Sequence, residues 1–288
     1  MLNVLRADFH RMLKSKVFLF EVIAMVLVSV YCVLGTKYGD IWSNVHPEDI
    51  IILGSTLLGV FSAVFSAFFI GTQHSDGAFR NRFSVGHTRT AVYFSNLLVC
   101  IAQAIIINTI YIVLAAVGGR IFLGRFILSF GNIAFSLLAA YIIVISMAAL
   151  ACLVSMMITN KALGAVLILV LFILIYGSST MISSRLEQPE YLSAYSYTID
   201  GETYEADKRK NPSYLSGTKR RVFEELYDTV PSGQLTQIHI AVLESAAAGE
   251  PLEDEIIKKM IKFAGISTLF TVAFSALGVT LFKRKNLK

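Results

Sequence analysis

Charge is scarce in this chain: of 288 residues, 16% are charged and 55% hydrophobic, and the mean hydropathy is +0.66. A water-soluble domain carries about 25% charged residues, so these values exclude an ordinary solvated globule and make the bilayer the expected solvent. Cysteine is also sparse. Cys32, Cys100 and Cys152 are odd in number and sit in apolar stretches, which excludes a disulfide framework and casts them as small core residues. No G-x-x-x-x-G-K-[ST] phosphate loop is present, so the chain is not expected to use ATP by itself. His10, His46, His74, His87 and His239 are scattered without metal-ligand spacing, and no Ser/His/Asp arrangement falls on one membrane face. Neither an enzyme nor a metal or other directly bound cofactor is expected.

What charge there is divides unevenly. From Arg185 to Lys262 there are 10 Lys+Arg against 14 Asp+Glu, and the rest of the chain holds 15 against 6. A basic, apolar body thus carries an acidic insert. The basic residues flank apolar segments and form no stripe on a polar face, which argues against nucleic acid.

A helix rises about 1.5 Å per residue, so crossing a hydrocarbon layer of about 30 Å takes about 20 apolar residues. Six stretches meet this demand: Val17–Thr36, Ile51–Thr72, Asn96–Val117, Ile133–Met157, Leu163–Ser183 and Phe263–Phe282. Each is expected to be helical, because lipid offers the backbone no hydrogen-bond partners. The first follows a basic start but lacks a small-residue cleavage site, and it reads as a retained anchor. An even number of spans puts both termini on one side. With both cytoplasmic, the inner segments hold twelve basic residues (Arg6, Arg11, Lys14, Lys16, Arg80, Arg82, Arg89, Lys161, Lys283, Arg284, Lys285 and Lys288), and the short outer loops hold three (Lys37, Arg120 and Arg125). The positive-inside rule therefore favours a cytoplasmic N- and C-terminus.

Before the first span, Leu2, Leu5, Phe9, Met12 and Leu13 share one helical arc, with Arg6, His10, Arg11 and Lys14 around the other side. That pattern predicts an interfacial helix over residues 1–16, interrupted by Val4 and Lys16. In the second span Ser55, Gly59, Ala63, Ala67 and Gly71 recur every four residues, a small-residue stripe that lets helix backbones approach. The sequence leaves open whether the facing helix belongs to this chain or to a second copy. Glu21 is the only acid inside a span and is expected near the interface, paired with Lys14, Lys16 or a loop arginine. Gln103 and Asn108 of the third span are candidates for lining a pathway, although such amides more often bond between helices.

Between the second and third spans, residues 73–94 form a basic loop. Ser75 or Asp76 is placed to cap a short helix, Phe79 and Phe83 lie one turn apart on one face, and Gly86 suits its stop. The run Asp76-Gly77-x-x-Arg80-Asn81, followed by Gly86-x-x-Arg89, resembles the first inner loop of type-2 ABC exporter permeases. The surface helix, the six spans and the insertion between the fifth and sixth match that family in order. The resemblance implies that Ser75–Val85 is a coupling helix docking on a separate cytoplasmic ATPase subunit, which would bind ATP and Mg. Asp76, Gly77, Phe79, Arg80, Asn81, Arg82, Phe83, Gly86 and Arg89 would carry the contact, with both phenylalanines in a partner groove and the arginines on its acidic rim. Thr159-Asn160-Lys161 departs from the pattern, being too short for a sizeable second coupling element.

The insert over 185–262 is too polar for lipid and is expected to form a small α+β extracellular cap. Tyr197–Tyr204 carries a hairpin signal around Asp200-Gly201. Thr218–Asp228 reads as a helix with Val222, Phe223, Leu226 and Tyr227 on its apolar side, Pro231–Gln234 as a turn, and Leu235–Ala248 as a second helix. Six tyrosines (Tyr191, Tyr195, Tyr197, Tyr204, Tyr214 and Tyr227) are expected to build its core. The Pro-x-Gly-Gln element resembles one found at this place in Gram-positive peptide-exporter permeases.

The expected protein is therefore an all-α polytopic membrane protein: an elbow helix (1–16), spans one to five (17–184), the extracellular domain (185–262), and span six with a basic tail (263–288). Its expected role is the permease half of an ATP-driven exporter in a bacterial plasma membrane, paired with a second copy or a paralogue. Almost uncharged walls suit an amphipathic or hydrophobic cargo, first a cytolytic or antimicrobial peptide, next a drug or lipid. The rival expectations are a sensor or immunity protein without a through-pore and an ion-coupled carrier using Glu21.

Overall fold

The structure, a computed structural model, describes residues 2–39, 46–192, 196–199, 202–205 and 209–285, and for 196–199 and 202–205 the backbone alone. Six of its helices are long and apolar enough to cross a membrane. They are α2 (Lys16–Tyr38), α3 (Pro47–Ser75), α5 (Arg89–Phe122), α6 (Phe130–Met157), α7 (Lys161–Leu186) and α10 (Asp254–Arg284). Around them lie α1 (Leu2–Leu13), α4 (Ala78–Ser84), α8 (Gly217–Thr229) and α9 (Pro231–Ala248), with short strands β1 (Tyr191–Leu192), β2 (Ser196–Ile199), β3 (Glu202–Glu205) and β4 (Arg209–Lys210). Each expected span lies within one long helix, and the helices overrun the apolar stretches; polar caps set the starts of α2, α5 and α7. Ser15 Oγ accepts from Phe18 N at 3.1 Å, Thr88 Oγ1 from Ala91 N at 3.2 Å, and Asn160 Oδ1 from Ala162 N and Leu163 N at 3.0 and 3.1 Å.

Helix α3 is the centre of the bundle, packed by α5, α6, α7 and α9. In its most apolar stretch 67% of residues are buried, against 22% in α7 and 17% in α10. The outer helices accordingly expose Leu19, Phe20 and Leu27 on α2, Ile173 and Leu174 on α7, and Leu269 and Val272 on α10. Apolar surface of this extent has lipid as its natural solvent. The chain is a multi-pass membrane protein in this sense.

The small-residue stripe has its partner inside the chain. A Cβ on Gly59 would lie 2.3 Å from the Met147 methyl of α6 and 2.7 Å from the Tyr176 hydroxyl of α7, and one on Gly71 would lie 3.0 Å from Lys161 Cγ. Ser55 Oγ donates to Asn108 Oδ1 of α5 at 3.2 Å, and Ala63 and Ala67 are buried. A stripe serving several neighbours at once is what a central helix requires.

The insert differs from the expected cap. β1 pairs with β4 and β2 with β3, both antiparallel, with Tyr197 opposite Tyr204. The predicted strand pairing is therefore present, while Asp200, Gly201 and Tyr195 lie outside the described residues, as do the side chains of Tyr197 and Tyr204. The helices do not form a separate core. Leu235, Ile238, Val242, Leu252 and Met260 belong to the same buried cluster as the long helices. Pro231–Gln234 is not a turn but the first turn of α9, with proline at the position where a missing N–H costs nothing. Val222 and Leu226 are about half exposed, at 51% and 48%, so α8 does not bury the face its pattern predicts. Of the tyrosines whose side chains are described, Tyr227 is buried and Tyr191 exposed.

The α8–α9 corner is instead pushed into the bundle. Gly233 lies against Tyr227, where a Cβ would meet the Tyr227 carbonyl oxygen at 2.5 Å, so only glycine permits this tight crossing. Ser232 hydrogen-bonds to Ser179 and donates to the Ile175 carbonyl of α7 at 3.1 Å, and Ser267 of α10 donates to Gln234 Oε1 at 2.7 Å. At about 1.5 Å per residue, Ile175 lies about 16 Å short of the Leu186 end of α7. The corner is thus a wedge between α7 and α10 at the depth of the apolar spans.

Candidate functional site

The loop between α3 and α5 is built by two glycines. Helix α3 runs through Ser75 and is capped at its C-terminus by Asp76, so neither residue caps α4 as the sequence suggests. Gly77 (φ +67°) turns the chain into α4, and Gly86 (φ +91°) turns it out, both in the left-handed region that favours glycine. Between them α4 has an inward and an outward face.

The inward face is committed to the chain's own core. Phe79 is 2% exposed, its ring 4.6 Å from His74 and 5.9 Å from Phe282 at the end of α10. Phe83 also packs on Phe282, at 6.3 Å. This corrects the expectation that Phe79 and Phe83 are free to enter a partner's groove: the last turn of α10 already occupies the position of that partner.

Arg82 is likewise taken. Its guanidinium makes two contacts with Asp8 of α1, Nη1 to Oδ2 at 3.0 Å and Nη2 to Oδ1, and Nη1 also donates to Gln73 Oε1 of α3 at 3.1 Å. Ser95 of α5 donates to Asp8 Oδ2 at 2.6 Å, and Gln73 Nε2 donates to Asn96 Oδ1 at 2.6 Å. Asp8 has no solvent exposure and Arg82 only 16%, so the pair is nearly dry. Five polar side chains from four helices therefore satisfy one another in a site where an unpaired charge would be costly.

Sequence reasoning missed Asp8, although a signal was present. Val4, Asp8 and Met12 recur every four residues and are the buried stripe of α1, while Leu2 and Leu13 of the expected arc are 77% and 59% exposed. Val4, which interrupts the apolar pattern, marks the face that docks.

Arg89 closes the other side of the loop. Its Nη1 donates to the carbonyls of Lys283 at 2.8 Å and Phe282 at 3.3 Å, capping the C-terminus of α10, and its guanidinium carbon lies 5.7 Å from the Phe83 ring centre. It is therefore not available to a partner's acidic rim. Lys285 adds a second tie, donating to the Met156 carbonyl of α6 at 2.8 Å, and burial pulls its ammonium pKa down to about 8.

What remains outward is Arg80, Asn81, Ser84 and Val85, with Ser75 and Asp76 beside them. Val85 is 78% exposed, and Asp76 lies 3.8 Å from Arg11 of α1. A four-residue repeat places Arg80 with Ser84 and Asn81 with Val85 on one side of α4.

The intramembrane candidates are internal. Glu21 does not pair with Lys14, Lys16 or an arginine; it is fully buried and accepts from Gln103 Nε2 at 2.7 Å. Gln103 and Asn108 are also fully buried, bonding α5 to α2 and to α3, and neither lines an open path within the chain. A buried amide or acid in a bundle finds its partner on the nearest helix, and here that partner is polar. At the wedge tip lies an apolar cavity of about 240 Å³, lined by Met147, Phe172, Ile175, Val230, Phe270 and Phe274. Among the described residues no group of three or more His, Cys, Asp or Glu is placed to hold a metal.

No protein-family model matches the sequence, and neither does any curated protein.

Proposed function

We propose that this chain is the membrane subunit of an ATP-driven exporter of the type-2 ABC permease kind, moved by a separate cytoplasmic ATPase through α4. The observation that carries the reading is the fastening of α4: it is tied to α1 and α3 through Arg82, to α5 through the Asp8–Ser95 and Gln73–Asn96 bonds, and to α10 through Phe79, Phe83 and Arg89. A force on such an element reaches several helices without first being absorbed by its own bending. The partner face is Asp76, Arg80, Asn81, Ser84 and Val85, an exposed apolar tip ringed by polar groups. Both termini and α4 are cytoplasmic in this reading, following the distribution of basic residues, and the β1–β4 arm is extracellular. A second copy or a paralogue completes the pathway. The apolar cavity at the wedge and the scarcity of charge along the spans favour an amphipathic or hydrophobic cargo, with a cytolytic or antimicrobial peptide first and a drug or lipid next.

One observation favours a second reading, a sensor or immunity protein without a through-pore. The α8–α9 wedge shares the core of the long helices, so motion begun at α4 would reach the extracellular arm directly.

The test is ATP-dependent uptake of an amphipathic peptide into inverted membrane vesicles holding the chain with its ATPase. Arg80→Glu with Val85→Asp is expected to abolish uptake and ATPase co-purification while leaving the unfolding temperature of the chain unchanged. Full uptake by that variant, or nucleotide hydrolysis by the purified chain alone, overturns the proposal. ATPase stimulation by peptide with no uptake selects the sensor.

A further inference from the structure

A cavity of about 730 Å³ opens at the α4 end of the bundle, between the α1–α2 corner and helices α3 and α7. Arg11 of α1, Lys14 of the α1–α2 turn and Lys16 of α2 line one side, Lys161 of α7 lines the other, and Phe68 and Phe69 of α3 form an apolar floor. Two of the cations lie near that floor: the Arg11 guanidinium carbon is 5.6 Å from the Phe69 ring centre and Lys161 Nζ is 5.5 Å from that of Phe68. The Lys161 stem reaches this position by crossing α3 at Gly71, where a side chain would block it.

The charge is unbalanced. Among the described residues Asp76 is the one carboxylate lining the cavity, 3.8 Å from Arg11 and 60% exposed. Among the described residues no carboxylate lies within 4.0 Å of Lys14, Lys16 or Lys161. Apolar surface continues from the cations along the bundle: Leu19 and Phe20 on α2, Leu57 and Val60 on α3, and Leu163 and Val166 on α7 are all exposed. A cluster of cations at the head of an apolar cleft matches a ligand with an anionic head and a hydrocarbon tail, and basic pockets between membrane helices bind such lipids.

We propose that this cavity binds an anionic phospholipid, its phosphate held by Arg11, Lys14, Lys16 and Lys161 and its acyl chains lying along the exposed stripe of α3 between α2 and α7. The proposal rests on the chain's being a membrane protein and is independent of the export reading. The lipid would fasten α1, which carries Asp8 to the clamp on α4, to α7, which supplies none of the clamp's five side chains.

The test is native mass spectrometry of the full chain in detergent, titrated with phosphatidylglycerol or with phosphatidylcholine of the same acyl length. The expected result is preferential retention of phosphatidylglycerol. A basic group near an anionic surface is worth about a fivefold gain in binding, so the combined Arg11→Gln, Lys14→Gln and Lys161→Gln variant is expected to lose about a hundredfold of the preference. Lys283→Gln with Arg284→Gln, two exposed cations at the same end, is expected to keep it. If the triple variant does not fold, Lys14→Gln alone, at an exposed position, is expected to lose about fivefold. Equal retention of the two lipids overturns the proposal, as does equal loss in the Lys283/Arg284 control, which would indicate diffuse charge. Tight binding of inorganic phosphate that displaces the lipid would assign the pocket to a soluble anion and overturn it as well.

Discussion

At one end of the bundle α4 is held by a nearly dry ion pair, two amides and a serine; at the other, the α8–α9 wedge is held by apolar packing, a glycine contact and neutral hydrogen bonds, with half-exposed lysines of α10, Lys259 and Lys262, paired to Asp228 and Glu225 of α8. The two fastenings differ in how they fail. A buried ion pair has a strongly preferred partner and geometry, and losing one member leaves a charge that the low-dielectric interior penalises. At the wedge Asp228 has two lysine partners, both of which reach solvent, so losing one of them leaves the carboxylate paired. The α4 end therefore depends on a single buried charge pair, and the wedge end on packing at its tip with solvent-screened charges at its rim.

The sharpest way to break this contrast is Arg82→Ala, which leaves Asp8 buried and unpaired and is expected to cost about 3–5 kcal/mol. Thermal unfolding of the purified chain measures it. The double variant with Asp8→Ala is expected to be much less destabilised than the sum of the single changes, and simple additivity would show that the pair does not act as a unit. Next comes Phe79→Ala, expected to cost about 3 kcal/mol as a buried ring is lost, whereas Val85→Ala on the outward face should stay within about 0.5 kcal/mol. Equal effects of the two would mean that the inward and outward faces have been misassigned.

At the wedge, Gly233→Ala forces a methyl against the Tyr227 carbonyl and is expected to cost about 1–3 kcal/mol, with limited proteolysis reporting release of α8. Insensitivity would show that the corner shifts without penalty. The smallest effect is electrostatic. Lys285 has its pKa lowered from 10.5 to about 8 by burial, so folding must bury a charged ammonium below pH 8, and that penalty fades as pH rises from about 8 to 10.5. The unfolding temperature is therefore expected to gain slightly over this window relative to Lys285→Met, which lacks the titrating group. Parallel pH profiles for the two proteins would exclude the contribution.

The outline of the fold was legible because it depends on sums over neighbours in the chain. About 20 consecutive apolar residues determine a span whatever they pack against, although the helix starts capped by Ser15, Thr88 and Asn160 lie ahead of the apolar stretches from which the spans were read. Gly86 could be read as the end of α4 for the same local reason. The site was legible only as a location. Phe79, Arg82 and Arg89 look available in the sequence because their partners, Phe282, Asp8 and the Lys283 carbonyl, stand 203, 74 and 194 residues away. The acidic composition of residues 185–262 likewise said nothing about Pro231–Gln234 entering the bundle, since the residues that receive it, Ile175, Ser179 and Ser267, carry no mark of that role.

By itself, then, the sequence determined that the chain lives in lipid, how many times it is long and apolar enough to cross, and where its basic end lies, because hydropathy, helix caps and charge act over a few turns of chain. Tertiary structure alone decided which charges are spent internally and which faces stay open. That choice depends on which helices touch, and the polar partner of Asp8, Glu21 or Gln234 in each case comes from a different helix.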